Sequence, residues 1–131
     1  QNTMKQYTVY PLSGFDDVKF GMTRTEVRDI LGSPEREFKK SKLSKVTTDD
    51  YNLFHIFYDN NDRFEAVEFF DKVEIIIDGR IIFPKSMENL MKLPYNFVPE
   101  EAGAISVEYS IGIYAPDKMV ESILFGVKGY Y

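Results

Sequence analysis

Residues 51–70 read YNLFHIFY, DNNDR and FEAVEFF. Apolar and aromatic side chains alternate with polar ones at a period of two, which makes each outer run a strand with two distinct faces. The Asp and Asn residues between them tolerate left-handed backbone and mark a hairpin turn. Residues 107–114 (VEYSIGIY) and 120–127 (VESILFGV) form a second pair around Pro116-Asp117. Residues 73–77 and 80–83 flank Asp78-Gly79, the dipeptide favoured in two-residue type I′ hairpins. A chain punctuated in this way has to build antiparallel sheet and bury one face of it.

Two short helices interrupt the strands. In FGMTRTEVRDILGSP (20–34), Thr23 is an N-cap and Glu26 completes a capping box. Val27, Ile30 and Leu31 form one apolar stripe, and Gly32 and Pro34 end the helix. Ser86 caps a second helix with Met87, Leu90, Met91 and Leu93, stopped by Pro94. Helices over 23–31 and 86–93 are too short to stand alone in water and need a sheet to pack on. Elsewhere, residues 7–10 and 35–40 read as strands and 95–104 as irregular. Lys39, Lys40, Lys42 and Lys45 mark a solvated loop or a lysine-protected sheet edge.

The halves align in two registers. At an offset of 63, Phe20, Thr23, Val27 and Ile30 fall on Phe83, Ser86, Leu90 and Leu93. At an offset of 56, Tyr58, Phe64, Glu65, Val67 and Phe69 fall on Tyr114, Val120, Glu121, Ile123 and Phe125. Registers agreeing in order point to a duplicated unit. The expected fold is therefore α+β: one domain over 4–131, made of two tandem helix-plus-antiparallel-β-meander units (about 7–70 and 71–131), with both helices on one side of the sheet. Residues 1–3 precede Met4, the expected natural start; a mature N-terminus after signal removal is the alternative.

The chemistry looked for is sparse. Without cysteine there is no disulfide, thiolate ligand or thiol nucleophile. The single histidine, His55, lies within an apolar strand and reads as a packed sheet residue. DNNDRFE places Arg63 and Phe64 where a calcium loop needs an oxygen ligand and a glycine. No phosphate loop or nucleophile elbow occurs. The expectation is no catalytic residue, metal or cofactor. A carboxylate-dependent enzyme remains the weakest alternative, because such pairs assemble only in space. A net charge of −5 argues against nucleic acid and suits a basic partner. No apolar run is long enough to span a membrane.

GMTRTEVRDILGSP, followed by an aromatic strand and FYDNNDRFEAVEF, resembles the SmpA/BamE-type module over roughly residues 20–70. Two such modules in tandem resemble the β-lactamase inhibitor protein architecture, in which the open face of a sheet grips a partner. The GMTRTEVRDILG opening is also similar to small bacterial toxin-immunity proteins. The chain has no cysteine for lipid attachment, a departure from the outer-membrane lipoproteins. The resemblance implies a non-catalytic protein-binding module, an immunity or inhibitor protein that neutralises a cognate toxin or enzyme. Its expected place is the cytoplasm. The alternative is a cell-envelope assembly domain.

Strand parity then assigns two sheet faces. His55, Phe57, Val67, Phe69, Ile111, Ile113, Ile123 and Phe125 are expected on the core face. Phe54, Ile56, Tyr58, Ala66, Glu68, Ser110, Gly112, Tyr114, Ser122 and Leu124 are expected on the other. Of these, Phe54, Tyr58, Glu68 and Tyr114, with Asp49 and Asp50 at the rim, are the expected partner-binding residues. The alternatives are that this face packs on the Asp78-Gly79 hairpin or on a second copy of the chain.

Overall fold

Hairpins account for most of the architecture. A computed structural model describes residues 4–83 and 85–131; the expectation about residues 1–3 lies outside them. The order is β1 (Lys5–Tyr10), β2 (Gly14–Phe15), β3 (Val18–Lys19), α1 (Arg24–Leu31), β4 (Arg36–Phe38), β5 (Thr48–Asp50), β6 (Phe54–Tyr58) and β7 (Phe64–Phe70). Then come β8 (Val73–Ile77), β9 (Arg80–Ile81), α2 (Met87–Leu90), β10 (Val98–Glu100), β11 (Gly103–Ser106), β12 (Ile111–Tyr114) and β13 (Ser122–Gly126). A five-stranded sheet is ordered β3-β2-β1-β8-β9, and an eight-stranded sheet β10-β11-β12-β13-β7-β6-β5-β4. β1 and β8 run parallel, from Lys5 opposite Val73 to Thr8 opposite Ile76.

The expected α+β class is overturned. The fold is β-rich, with about 9% of the chain helical. α1 has its capping box: the Thr23 hydroxyl accepts from the Glu26 amide, and the Glu26 carboxylate accepts from the Thr23 amide. Only Val27 of its stripe is fully buried, while Ile30 is 44% exposed. α2 is a single turn of four residues rather than a helix over 86–93. So little helix cannot form a layer. The five-stranded sheet, through β1, β2 and β8, supplies the cover that the helices were expected to provide. Residues 48–50, 98–100 and 103–106, none of them read as strands, complete the larger sheet.

The core lies between the sheets. The Tyr7 ring sits 5.3 Å from Phe54 and 5.2 Å from Phe69, and Phe15 sits 5.5 Å and 5.3 Å from the same two rings. Most of these contacts are edge-on, the favoured aromatic geometry. Ile56, Val67, Ile111, Ile123 and Phe125 extend this inner face, and Val27 and Leu90 join the same cluster from the helices.

What recurs is an arrangement of strands. The larger sheet reads as two four-stranded arrays meeting where β13 pairs with β7. Leu124 opposes Glu68 there, Gly126 opposes Ala66, and Ser122 opposes Phe70. Residues 56 apart thus take corresponding positions on the two strands, centred on Glu68 and Leu124. Two isolated bridges, Thr23 to Arg63 and Ser86 to Met119, differ by the same offsets of 63 and 56.

One residue changes the face assignment. Tyr58 opposes Phe64, but Phe57 opposes Ala66, so Glu65 is the extra residue of a β-bulge. Beyond it the parity of β6 against β7 is reversed. Phe54 pairs with Phe69 and Ile56 with Val67 on the inner face, while His55 pairs with Glu68 and Phe57 with Ala66 on the outer one. The expected placing of Phe54, Ile56 and Tyr58 outward, and of His55 and Phe57 inward, is corrected accordingly. A one-residue slip moves every side chain of a strand to the other face.

Candidate functional site

Two clusters stand out, and the first is closed. β5 alternates its side chains, so Asp49 points inward and Asp50 outward. Asp49 is fully buried. Its carboxylate accepts from Arg24 Nη1 (2.8 Å), from Arg28 Nε (3.0 Å) and Nη2 (2.6 Å), and from the Tyr58 hydroxyl (2.9 Å). Arg24 also donates to Asp62 and to the Thr47 carbonyl, and its guanidinium lies 4.0 Å from the centre of the Tyr58 ring. Asp62 is held below the ordinary carboxylate range by its bond from Arg24. Burial first, and then the Asp49 charge and hydrogen bond, push the Tyr58 hydroxyl well above its usual range. Arg24 and Arg28 project from one side of α1, four residues apart, so the knot ties the helix to β5. With its lone pairs engaged and no exposure, Asp49 offers nothing to a ligand. It and Tyr58 are structural residues, a correction to their expected place at a binding surface.

The second cluster is open. The five-stranded sheet and both helices pack on the inner side of the eight-stranded sheet. By strand register its outer face carries Arg36, Phe38, Asp50, His55, Phe57, Glu68 and Phe70 in one half. The other half carries Val98, Glu100, Ile105, Tyr114, Ser122 and Leu124. Tyr114 is 50% and Val98 58% exposed. Glu68, at the junction, accepts from the Ser122 hydroxyl at 2.8 Å.

The halves are furnished differently. In the first, the His55 ring packs 5.0 Å from Phe38 and 4.7 Å from Phe70, and Lys40 lies 4.6 Å from the centre of the Phe57 ring. In the second, Gly112 stands opposite Leu124, where His55 stands opposite Glu68. A Cβ on Gly112 would lie 1.9 Å from the Tyr131 hydroxyl, and one on Gly126 would lie 2.7 Å from the Tyr130 side chain. These two glycines seat the tyrosines on the sheet. Burial, then neighbouring Tyr130 and Glu68, raises the Tyr131 hydroxyl above its usual range. Beside Tyr131 lies a cleft of about 330 Å³ whose lining includes Glu68, Glu100, Glu101, Tyr114 and Leu124. It adjoins a second hollow bordered by Asp71 and Glu121.

Asp50 lies on the outer face at the far edge of the first half. Burial pushes its carboxyl upward, but the Asn52 amide and Arg36, which donates at 2.8 Å, outweigh that and hold it below its usual range. His55 Nε2 is 3.4 Å from the Asp50 carboxylate. Burial lowers the His55 pKa, and the nearby Asp50 and Glu68 charges only partly oppose this. The unfolded chain therefore takes up this proton more readily. Stability should be indifferent to His55 above its unfolded pKa of about 6.5. It should fall as pH drops from there through the folded pKa, and level off below it. Urea melts across this range should show the fall, and His55→Asn should flatten it. An unchanged slope in the variant would mean that His55 is not the group responsible.

Of the expected site residues, Glu68 and Tyr114 share the outer face and Asp50 lies at its far edge. Phe54, Tyr58 and Asp49 are inside. Glu100, Glu101, Tyr130 and Tyr131 were not singled out as binding residues. Glycine inside a strand, at Gly112 and Gly126, was the available sign of a close approach. Among the described residues, no group of three or more His, Asp or Glu side chains is placed to hold a metal ion. Among the described residues, no helix is long and apolar enough to cross a membrane. Comparison with protein-family models, with curated proteins and with solved structures found no match.

Proposed function

We propose that the chain is a non-catalytic protein-binding module of the immunity or inhibitor kind, gripping a cognate toxin or enzyme with the outer face of its eight-stranded sheet. The observation that carries this reading is that face itself. It leaves Tyr114 and Val98 exposed and Ile105, Leu124 and Phe70 half-buried, interspersed with carboxylates. A sheet face of that kind, rimmed by charge, suits a protein interface, where aromatic anchors dominate the binding energy.

The test is co-purification and titration with the product of the neighbouring gene, where toxin and immunity functions would be paired. Tyr114→Ala is expected to weaken that complex by about 2 kcal/mol, as for an interface hot spot. Ile81→Ala, on the short edge strand β9 of the other sheet, should leave it unchanged. Equal binding by the parent and the Tyr114 variant would remove the outer face from the interface.

A further inference from the structure

We infer that the cleft beside Tyr131 on the second half of the outer face receives a cationic side chain, lysine or arginine, presented by the protein partner. This rests on the proposed binding role and specifies which half of the face does the recognising.

The first support is charge. Glu68, Glu100 and Glu101 line the cleft, Asp71 and Glu121 border the hollow next to it, and no lysine or arginine lines either. Among the described residues, none of these five carboxylates forms an ion pair within the chain, whereas Asp49, Asp50, Asp62 and Glu37 all do. Three of the chain's arginines are engaged elsewhere, Arg24 and Arg28 inside the Asp49 knot and Arg36 on Asp50. The second support is shape. Tyr131 is seated over Gly112 and Tyr114 lies across the cleft, while Leu124 and Ile105 supply apolar surface. An aliphatic stem can lie on such surface with its charged head among the carboxylates, and a guanidinium or ammonium gains further from an aromatic face. The third is polarity across the sheet. In the first half Arg36 is neutralised by Asp50 and Lys40 lies over the Phe57 ring, whereas the carboxylates of the second half have no paired cation among the described residues, so the face carries its negative charge at one end. Such a face favours one orientation of a partner and repels the reverse.

The probe is the tripeptide Gly-Arg-Gly, acetylated and amidated, titrated into the ¹⁵N-labelled protein. The same peptide with citrulline, neutral and nearly the same shape, is the control. Saturable shifts are expected at the amides of Gly103, Gly112, Ser122 and Leu124, weakening with salt and absent with citrulline. The double variant Glu68→Gln, Glu100→Gln keeps the side-chain shapes and should lose about tenfold in affinity. Shifts scattered over the surface, an equal response to citrulline, or affinity unchanged in the double variant would each overturn the assignment. If the peptide fails while Tyr114→Ala still weakens the protein complex, the cleft assignment alone falls. If the peptide binds as expected but no protein complex responds to Tyr114, the cationic site stands and the binding-module reading falls.

Discussion

Replacing Asp49 by alanine is expected to lower the free energy of unfolding by about 3–5 kcal/mol, the usual effect of removing one partner from a buried ion pair. Asp49 has no exposure, and the Arg24 side chain is only 13% exposed. Alanine would leave the Tyr58 hydroxyl without its acceptor and Arg24 with Asp62 as its remaining carboxylate contact within hydrogen-bond distance. It would also cut the tie between α1 and β5. Arg28 is more exposed and retains Glu37 at 3.1 Å, so it contributes less of the loss. Urea unfolding measures the effect, with Asp17→Ala on an exposed turn as the comparison. If the two variants melt alike, the knot does not form in solution. The contrast with the expectation from sequence is direct. A rim aspartate would change association rate and salt dependence, whereas a buried one changes stability.

Phe69→Ala should cost about 3–5 kcal/mol, the range for deleting a buried ring. Phe69 is wholly buried and packs within 5.5 Å of Tyr7, Phe15 and Phe54, with Phe125 at 6.3 Å. Rings held by both sheets cannot collapse into the space it leaves. Its neighbour Phe70 lies on the outer face against His55, so Phe70→Ala should cost only about 1 kcal/mol, the worth of an aromatic pair with modest burial. Adjacent residues of one type thus report which face is inside. A reversed order of the two effects would mean that the register of β7 is off by one.

These two experiments bear on the points where local reading stops. Strand periodicity around residues 54–58 and 64–70 is plain in the amino-acid order, and so is the Asp78-Gly79 turn. That turn has both residues at positive φ and pairs Ile77 with Arg80. The capping box at Thr23 is equally local, needing only Glu26 three residues on. The bulge at Glu65 is not. No residue at that position demands it, and it shows only in the register of β7 against β6. Without it the parity of Phe54, His55, Ile56, Phe57 and Tyr58 reads the wrong way round.

Asp49 and Asp50 show the same limit in electrostatic form. Adjacent carboxylates near a turn read as solvated, because lone buried charge is costly. Burial becomes tolerable only once Arg24 and Arg28, 25 and 21 residues away, are folded beside Asp49. The acidic cleft is assembled likewise from residues as distant as Glu68 and Tyr131. Where hairpins turn, where α1 starts and which chemistries lack their residues were all determined by the sequence alone, because those properties depend on neighbours within a few positions. Which face of each strand is buried, that a second sheet rather than helices covers the core, and which carboxylates remain free for a partner were decided only by tertiary structure. Each depends on a register or an ion pair between segments that the amino-acid order does not place side by side.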